Sequence, residues 1–201
     1  MRGSTTSNPA EGTYLRGDET TVKILVAGPF SVGKTTFIGT MSQIRPLKTE
    51  EVMTAASTAV DDLRGRPDKH ETTVALDFGR LSLNDKLVLY LFGAPGQERF
   101  FPILSHLAHG ALGALVLVDT RHLAQSYPVM GVVEQLGLSY AIAVNQFPDS
   151  PPYTADELRA AMDLPADAPL VFCDARDQPS SKQALIRLVS YLLTLLPEST
   201  P

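Results

Sequence analysis

The sequence predicts an α/β fold, a mostly parallel six-stranded sheet with helices on both faces. Three observations lead there. From position 73 onward, apolar runs of strand length alternate with segments of helical periodicity. Two of those runs, 112–118 and 140–144, are apolar throughout, as strands covered on both faces must be. Gly28-Pro29-Phe30-Ser31-Val32-Gly33-Lys34-Thr35 is an unbroken G-x-x-x-x-G-K-[ST] string. It lies between a β-branched apolar run and a helix-forming stretch, the strand–loop–helix setting of a phosphate-binding loop.

In chain order, residues 1–19 are polar and aperiodic and are expected to form a mobile tail. One domain is expected over 20–201. Its first strand is the run 21–27, and 35–41 opens a helix. The stretch 45–72 carries scattered charge, Pro46, Gly65 and Pro67; it is expected to be weakly ordered, with a short helix across 52–63. Val74, Leu76 and Phe78 alternate onto one face of a strand. Asn84-Asp85 then provides a turn into the apolar run 87–92, giving an antiparallel hairpin. Ser126 and Pro128 start a helix over 127–136, and Thr154 caps another over 155–162. The run 170–172 is a short strand. Leu185, Leu188, Val189, Leu192 and Leu196 form one stripe of a last helix, about 181–196, which Pro197 stops.

With 201 residues, 44% apolar and 19% charged, the chain has the composition of a globular protein. A net charge of −5 without clustered Lys and Arg argues against nucleic acid as a partner. No apolar stretch approaches the roughly 20 residues of a membrane span, and the N-terminus has no apolar leader core. Cys173 is the only cysteine, which excludes an internal disulfide and fits a cytoplasmic location.

Each part of the 28–35 string has a task on a nucleotide triphosphate. Gly28 and Gly33 let the backbone curl so that N–H groups of Phe30, Ser31, Val32 and their neighbours point at phosphate oxygens. Lys34 brings positive charge to the β- and γ-phosphates, and the Thr35 hydroxyl ligates Mg²⁺. The helix dipole, with Thr36 in its first turn, adds at the same place.

Gly93-Ala94-Pro95-Gly96-Gln97-Glu98-Arg99-Phe100 resembles D-x-x-G-Q-E-R-F, the second switch of Ras- and Rab-like small GTPases. Three further stretches, Arg45-Pro46-Leu47-Lys48-Thr49-Glu50-Glu51, Leu91-Phe92-Gly93 with Pro95-Gly96-Gln97, and Val118-Asp119-Thr120-Arg121, resemble the small GTPases of actinobacterial conservon operons. The polarity GTPase of gliding bacteria is a related family. The likeness covers about residues 21–196 and implies a P-loop NTPase small G-domain. Its first switch would be enlarged over 45–72, and its second would span 93–104. The ligands implied are GTP/GDP and Mg²⁺. Gln97 is the implied catalytic residue, orienting the attacking water, while the Gly96 N–H senses the γ-phosphate. Thr73, ahead of Val74-Ala75-Leu76-Asp77-Phe78, resembles the first-switch threonine that ligates Mg²⁺, with Thr72 as the alternative. Asn145-Gln146-Phe147-Pro148-Asp149 stands where such proteins carry N-K-x-D, and Cys173-Asp174-Ala175-Arg176 where they carry S-A-K. Asn145, Gln146, Asp149, Ala175 and Arg176 are thereby implied at the base. The implied partner is a roadblock-type homodimeric regulator, extending to a sensor-kinase complex, with peripheral attachment at the inner membrane face through those partners.

The chain departs from the pattern in three places. Gly93 occupies the position of the acid that holds Mg²⁺ through water; Asp77 and Asp119 are substitutes by location. Phe30 puts a bulky ring near the γ-phosphate, where it hinders an incoming arginine finger. Intrinsic hydrolysis is therefore expected to be slow, with any activator acting by moving Gln97. The aspartate of the base motif arrives one residue late, so guanine is favoured by the resemblance while the residues leave adenine open. His106 and His109, three apart, lack a third metal ligand in the sequence. Phe100, Phe101, Ile103 and Leu104 suit a partner surface in part. The expected function is a GTP-hydrolysing molecular switch. A non-catalytic nucleotide-dependent binding module is the alternative, and an ATP-using phosphotransferase ranks third.

Overall fold

The computed structural model describes residues 17–53 and 72–195. In chain order the elements are β1 (Thr20–Ala27), α1 (Lys34–Met41), β2 (Leu47–Met53), β3 (Thr72–Ser82), β4 (Leu87–Gly93), α2 (Phe101–Ala108), β5 (Ala111–Val118), α3 (Tyr127–Gln135), β6 (Tyr140–Asn145), α4 (Ala155–Ala161), β7 (Leu170–Cys173) and α5 (Gln178–Thr194). Short 3-10 turns, Glu98–Phe100 and Thr120–Ser126, lead into α2 and α3.

One sheet runs in the order β2-β3-β4-β1-β5-β6-β7. Pairing is parallel from β4 through β7 and antiparallel for β2 with β3 and β3 with β4. All six expected strands are present. The seventh, β2, extends the sheet at its edge from within the stretch expected to be weakly ordered. Residues 52 and 53 of the expected helix over 52–63 belong to β2, and the remainder of that helix lies outside the described residues. Strand order reverses at β1, which sits between β4 and β5. Connections there leave to opposite sides and open a crevice at the C-terminal strand ends. The 28–35 loop emerges at that point.

Two apolar layers hold the sheet, and strand alternation assigns side chains to them. Ile24 and Val26 of β1, Leu115 and Leu117 of β5, and Ala141 and Ala143 of β6 join Phe37, Ile38 and Met41 of α1 and Leu185, Leu188 and Leu192 of α5. Leu25, Ala114, Val116, Val118, Ile142 and Val144 face the other way, onto Leu104 of α2, Val129, Met130 and Val133 of α3, and Leu158 of α4. Where neither face meets water, at 24–27 of β1, 113–118 of β5 and 140–144 of β6, the strands carry apolar residues without interruption. Each fully buried Leu or Ile contributes about 1.5–3 kcal/mol.

Caps explain the helix boundaries. Thr154 and Glu157 form a reciprocal capping box at α4. At α5 the Asp177 carboxylate accepts from Ser180 N at 2.8 Å, starting that helix at Gln178, three residues before the expected 181. The α3 boundary differs in cause from expectation: Ser126 makes no capping hydrogen bond, and the preceding 3-10 turn feeds directly into the helix. No helix among the described residues is long and apolar enough to cross a membrane.

Candidate functional site

The loop after β1 is shaped by close approach. Gly28 has φ +140°, and a Cβ there would fall 2.5 Å from the Leu117 carbonyl oxygen; Gly33 has φ +106°, and a Cβ would fall 2.6 Å from Asn145 Nδ2. Neither backbone conformation nor space admits a side chain. Ser31 also has positive φ, at 63°. Lys34 Nζ donates to the carbonyl oxygens of Gly28 at 2.8 Å and Pro29 at 2.7 Å. Burial lowers the Lys34 pKa to about 8 against the opposing pull of Asp77. Val32 is buried; it serves through its backbone, its carbonyl accepting from Asn145.

A cavity of about 580 Å³ opens over this loop, and its wall includes Ser31, Lys34, Thr35, Thr36, Asp77 and Gln97. Gly96 closes one side: a Cβ on it would lie 2.5 Å from Phe30 N and 2.7 Å from Lys34 Nζ. Gln97 follows immediately, half-buried at the start of the 3-10 turn. Phe30, 67% exposed, stands at the mouth.

Asp77 is the residue that sequence reasoning could name only by location. The Thr35 hydroxyl donates to Asp77 Oδ2. Asp77 is also the cross-strand partner of Gly93 in the β3–β4 ladder, and a Cβ on Gly93 would fall 3.0 Å from Asp77 Cβ. The acid absent from β4 thus has a counterpart directly opposite on β3. Asp119, the other substitute by location, is engaged by Arg121. A hydroxyl and a carboxylate are hard oxygen donors that fit Mg²⁺, which takes one or two protein ligands plus phosphate and water. No group of three His, Cys, Asp or Glu suited to a metal occurs among the described residues. Thr73 lies four residues from Asp77 along β3, about 13 Å at strand rise, with its backbone paired to Val52.

At the other end of the loop, Asn145 ties three segments together. Its Nδ2 donates to Val32 O at 2.9 Å, and its Oδ1 accepts from Ala175 N at 2.9 Å, both buried. Gln146 is exposed, and its backbone N–H donates to Cys173 O at 2.8 Å. Asp149 is exposed and paired with Arg121 at 2.8 Å. Arg176 pairs with Asp174 at 2.8 Å, whose carboxyl is held at about 2 by the Arg176 hydrogen bonds. The Cys173 thiol is buried and pushed up to about 12, which leaves it an unreactive packing residue.

The group 100–104, expected to be core in part and partner surface in part, is mostly core. Phe100 and Ile103 are buried with Leu76, and Leu104 is buried in the α3–α4 layer; of the four only Phe101 is part-exposed. A helix packed on the sheet needs apolar residues to dock, and these are used for that. His109 lies just beyond α2, where its carbonyl accepts from Lys23 Nζ at 3.0 Å.

A glycine-shaped phosphate loop after the central strand, a lysine and threonine opening its helix, and a second glycine segment against it define a P-loop nucleoside triphosphatase fold of the G-domain type. The chain belongs to the family described as conserved hypothetical ATP binding protein, whose model matches residues 26–195. Solved structures with this fold include the G domain of the FeoB iron transporter of T. maritima. It is 17% identical with a TM-score of 0.62, over 86% of this chain and 99% of that one. The FeoB G-domain from Methanococcus jannaschii is 11% identical at TM-score 0.58, over 86% and 98%. The cytosolic domain of L. pneumophila FeoB is 14% identical at 0.59, over 82% and 69%. No curated protein matches the sequence significantly.

Proposed function

We propose that this protein is a guanine-nucleotide-binding switch that hydrolyses GTP slowly and signals through its two switch segments. One observation carries the reading: Gly96 packs on the phosphate loop and sets Gln97 on the same cavity as Lys34, Thr35 and Asp77. Positioning and charge are nearly all that phosphoryl transfer asks of a protein. Lys34 would bind the β- and γ-phosphates, the Gly96 N–H would meet a γ-phosphate oxygen, and the Gln97 amide would orient water. Thr35 and Asp77 would hold Mg²⁺, with Thr73 joining only if its segment moves. Bound Mg²⁺ supplies neutralising charge to the phosphate oxygens.

Guanine is favoured over adenine by the likeness of the Asn145–Asp149 and Cys173–Arg176 stretches to the base loops of small GTPases, although the family description names ATP. Phe30 at the cavity mouth supports slow turnover and an activator that moves Gln97. It equally supports the second reading, a nucleotide-dependent binding module without turnover. Likeness to the conservon GTPases supports a roadblock-type homodimer as partner, with recruitment to a membrane-bound sensor kinase.

Calorimetry with GDP, GTP, ADP and ATP, followed by single-turnover hydrolysis of wild type and Gln97→Leu, tests these readings. Guanine binding with hydrolysis lost in Gln97→Leu supports the switch. Guanine binding without any hydrolysis supports the binding module. Adenine binding without guanine binding ends the switch reading.

A further inference from the structure

We propose that Arg121 is the positioning residue of base recognition: it holds the Asp149 carboxylate where it reads the guanine edge, offsetting the extra residue that separates Asp149 from Asn145. The inference rests on the guanine reading above and concerns a residue outside both the phosphate loop and the base motif.

Asp149 sits at an exposed loop tip, where an isolated carboxylate must lose rotamer freedom before it can bind anything. Arg121 removes that freedom from outside the loop. It arises from the 3-10 turn after β5, and buried Asp119 pins it there. Asp119 Oδ1 accepts from the Arg121 backbone N and from Nε, both at 3.0 Å, and Oδ2 accepts from a terminal nitrogen at 2.7 Å. The other terminal nitrogen reaches Asp149 Oδ1 at 2.8 Å. The guanidinium face lies 3.7 Å from the centroid of the Phe147 ring. A planar fork suits this task and a lysine does not, because the fork fixes both carboxylates and the stack in one geometry.

The loop is closed on itself as well. Phe147 N donates to Ser150 Oγ at 2.9 Å, and Ser150 N donates to Phe147 O at 3.0 Å. Asn145, Phe147 and Asp149 are therefore each held by a group from elsewhere in the fold or from the turn. Arg121 uses one oxygen of Asp149. A carboxylate offers about four lone-pair sites, so the two adjacent N–H groups of a guanine edge still find acceptors.

The experiment measures GDP, ADP and xanthosine diphosphate affinities by displacement of a fluorescent nucleoside diphosphate. Arg121→Met keeps an apolar stem over Phe147. It is expected to lower the GDP:ADP affinity ratio about tenfold or more, with ADP affinity held within about threefold as an internal check on the fold. Arg121→Lys is expected to recover less than half of that loss on a logarithmic scale. Asp149→Asn is expected to favour xanthosine diphosphate in the wild-type background and not in Arg121→Met. A ratio that rises in Arg121→Met overturns the proposal, because Arg121 would then be withholding Asp149 from the base. So does a ratio unchanged by Arg121→Met yet changed by Asp149→Asn. Wild-type protein that binds GDP and ADP equally fails the guanine reading itself, a separate and recognisable result.

Discussion

Gly93→Asp restores the acid that Ras-like proteins carry, and the structure predicts harm from it. A Cβ at this position falls 3.0 Å from Asp77 Cβ and 3.0 Å from Ile38 Cδ1. Ile38 is fully buried and Asp77 is fixed in the opposing strand, so neither neighbour can give way cheaply. Overpacking of this kind costs about 1–3 kcal/mol. The two carboxylates would also face each other across an antiparallel pair, roughly 5 Å apart. At an effective dielectric of about 20 their repulsion adds up to about 3 kcal/mol. Together a loss of about 3–5 kcal/mol is expected, a large share of an ordinary domain's stability. Adding Asp77→Gly removes both the contact and the charge. Urea unfolding of the wild type, the two single variants and the double variant should give coupling of about 2 kcal/mol or more. Release of fluorescent GDP with and without chelator gives the second readout. Asp77→Gly alone should lose the Mg²⁺ dependence of release, and the double variant should regain it. Additive stabilities, or an Asp77→Gly protein that keeps the wild-type Mg²⁺ response, would refute the cross-strand exchange of the carboxylate.

Three other predictions concern the same loops. Asn145→Ala leaves Val32 O and Ala175 N buried without their partner and should cost about 2–5 kcal/mol in urea unfolding, whereas Gln146→Ala, at an exposed side chain, should stay within about 0.5 kcal/mol. Gln97→Leu should lower single-turnover hydrolysis about 10- to 1000-fold while GDP affinity, measured by calorimetry, changes little. The third follows from Lys34, whose pKa is lowered in the fold to about 8 from an unfolded value near 10.5. Between those values the unfolded chain binds more protons, so the stability of the nucleotide-free protein should rise from pH 8 to pH 10. Nucleotide affinity should fall over the same interval as the ammonium is lost. Urea unfolding and GDP titration at both pH values, with Lys34→Met as control, measure the two opposite slopes; parallel slopes would contradict the assignment.

Much of this protein is written in local pattern. The uninterrupted apolar runs of β5 and β6 report strands buried on both faces, because alternation sends successive side chains to opposite layers. The 28–35 string reports its own loop, since only glycine tolerates the backbone angles and contacts found at positions 28 and 33. Thr154 with Glu157 reports the start of α4 through a hydrogen-bond exchange within four residues. The edge strand β2 was not legible: its ladder is with β3, and nothing in its own composition states that pairing. Which of Phe100, Phe101, Ile103 and Leu104 belong to the core was not legible for the same reason, because their burial depends on Leu76 and on the α3–α4 layer.

The sequence by itself determined that a phosphate loop joins a strand to a helix and that Gln97 comes shortly after a second glycine segment. These are short-range facts set by spacing along the chain. Tertiary structure alone decided which acid stands beside Thr35 and which cation holds Asp149. Asp77 reaches Thr35 across 42 positions and Arg121 reaches Asp149 across 28. Both depend on strand register and sheet order, and a carboxylate or guanidinium carries no mark in the sequence of the partner that folding will bring to it.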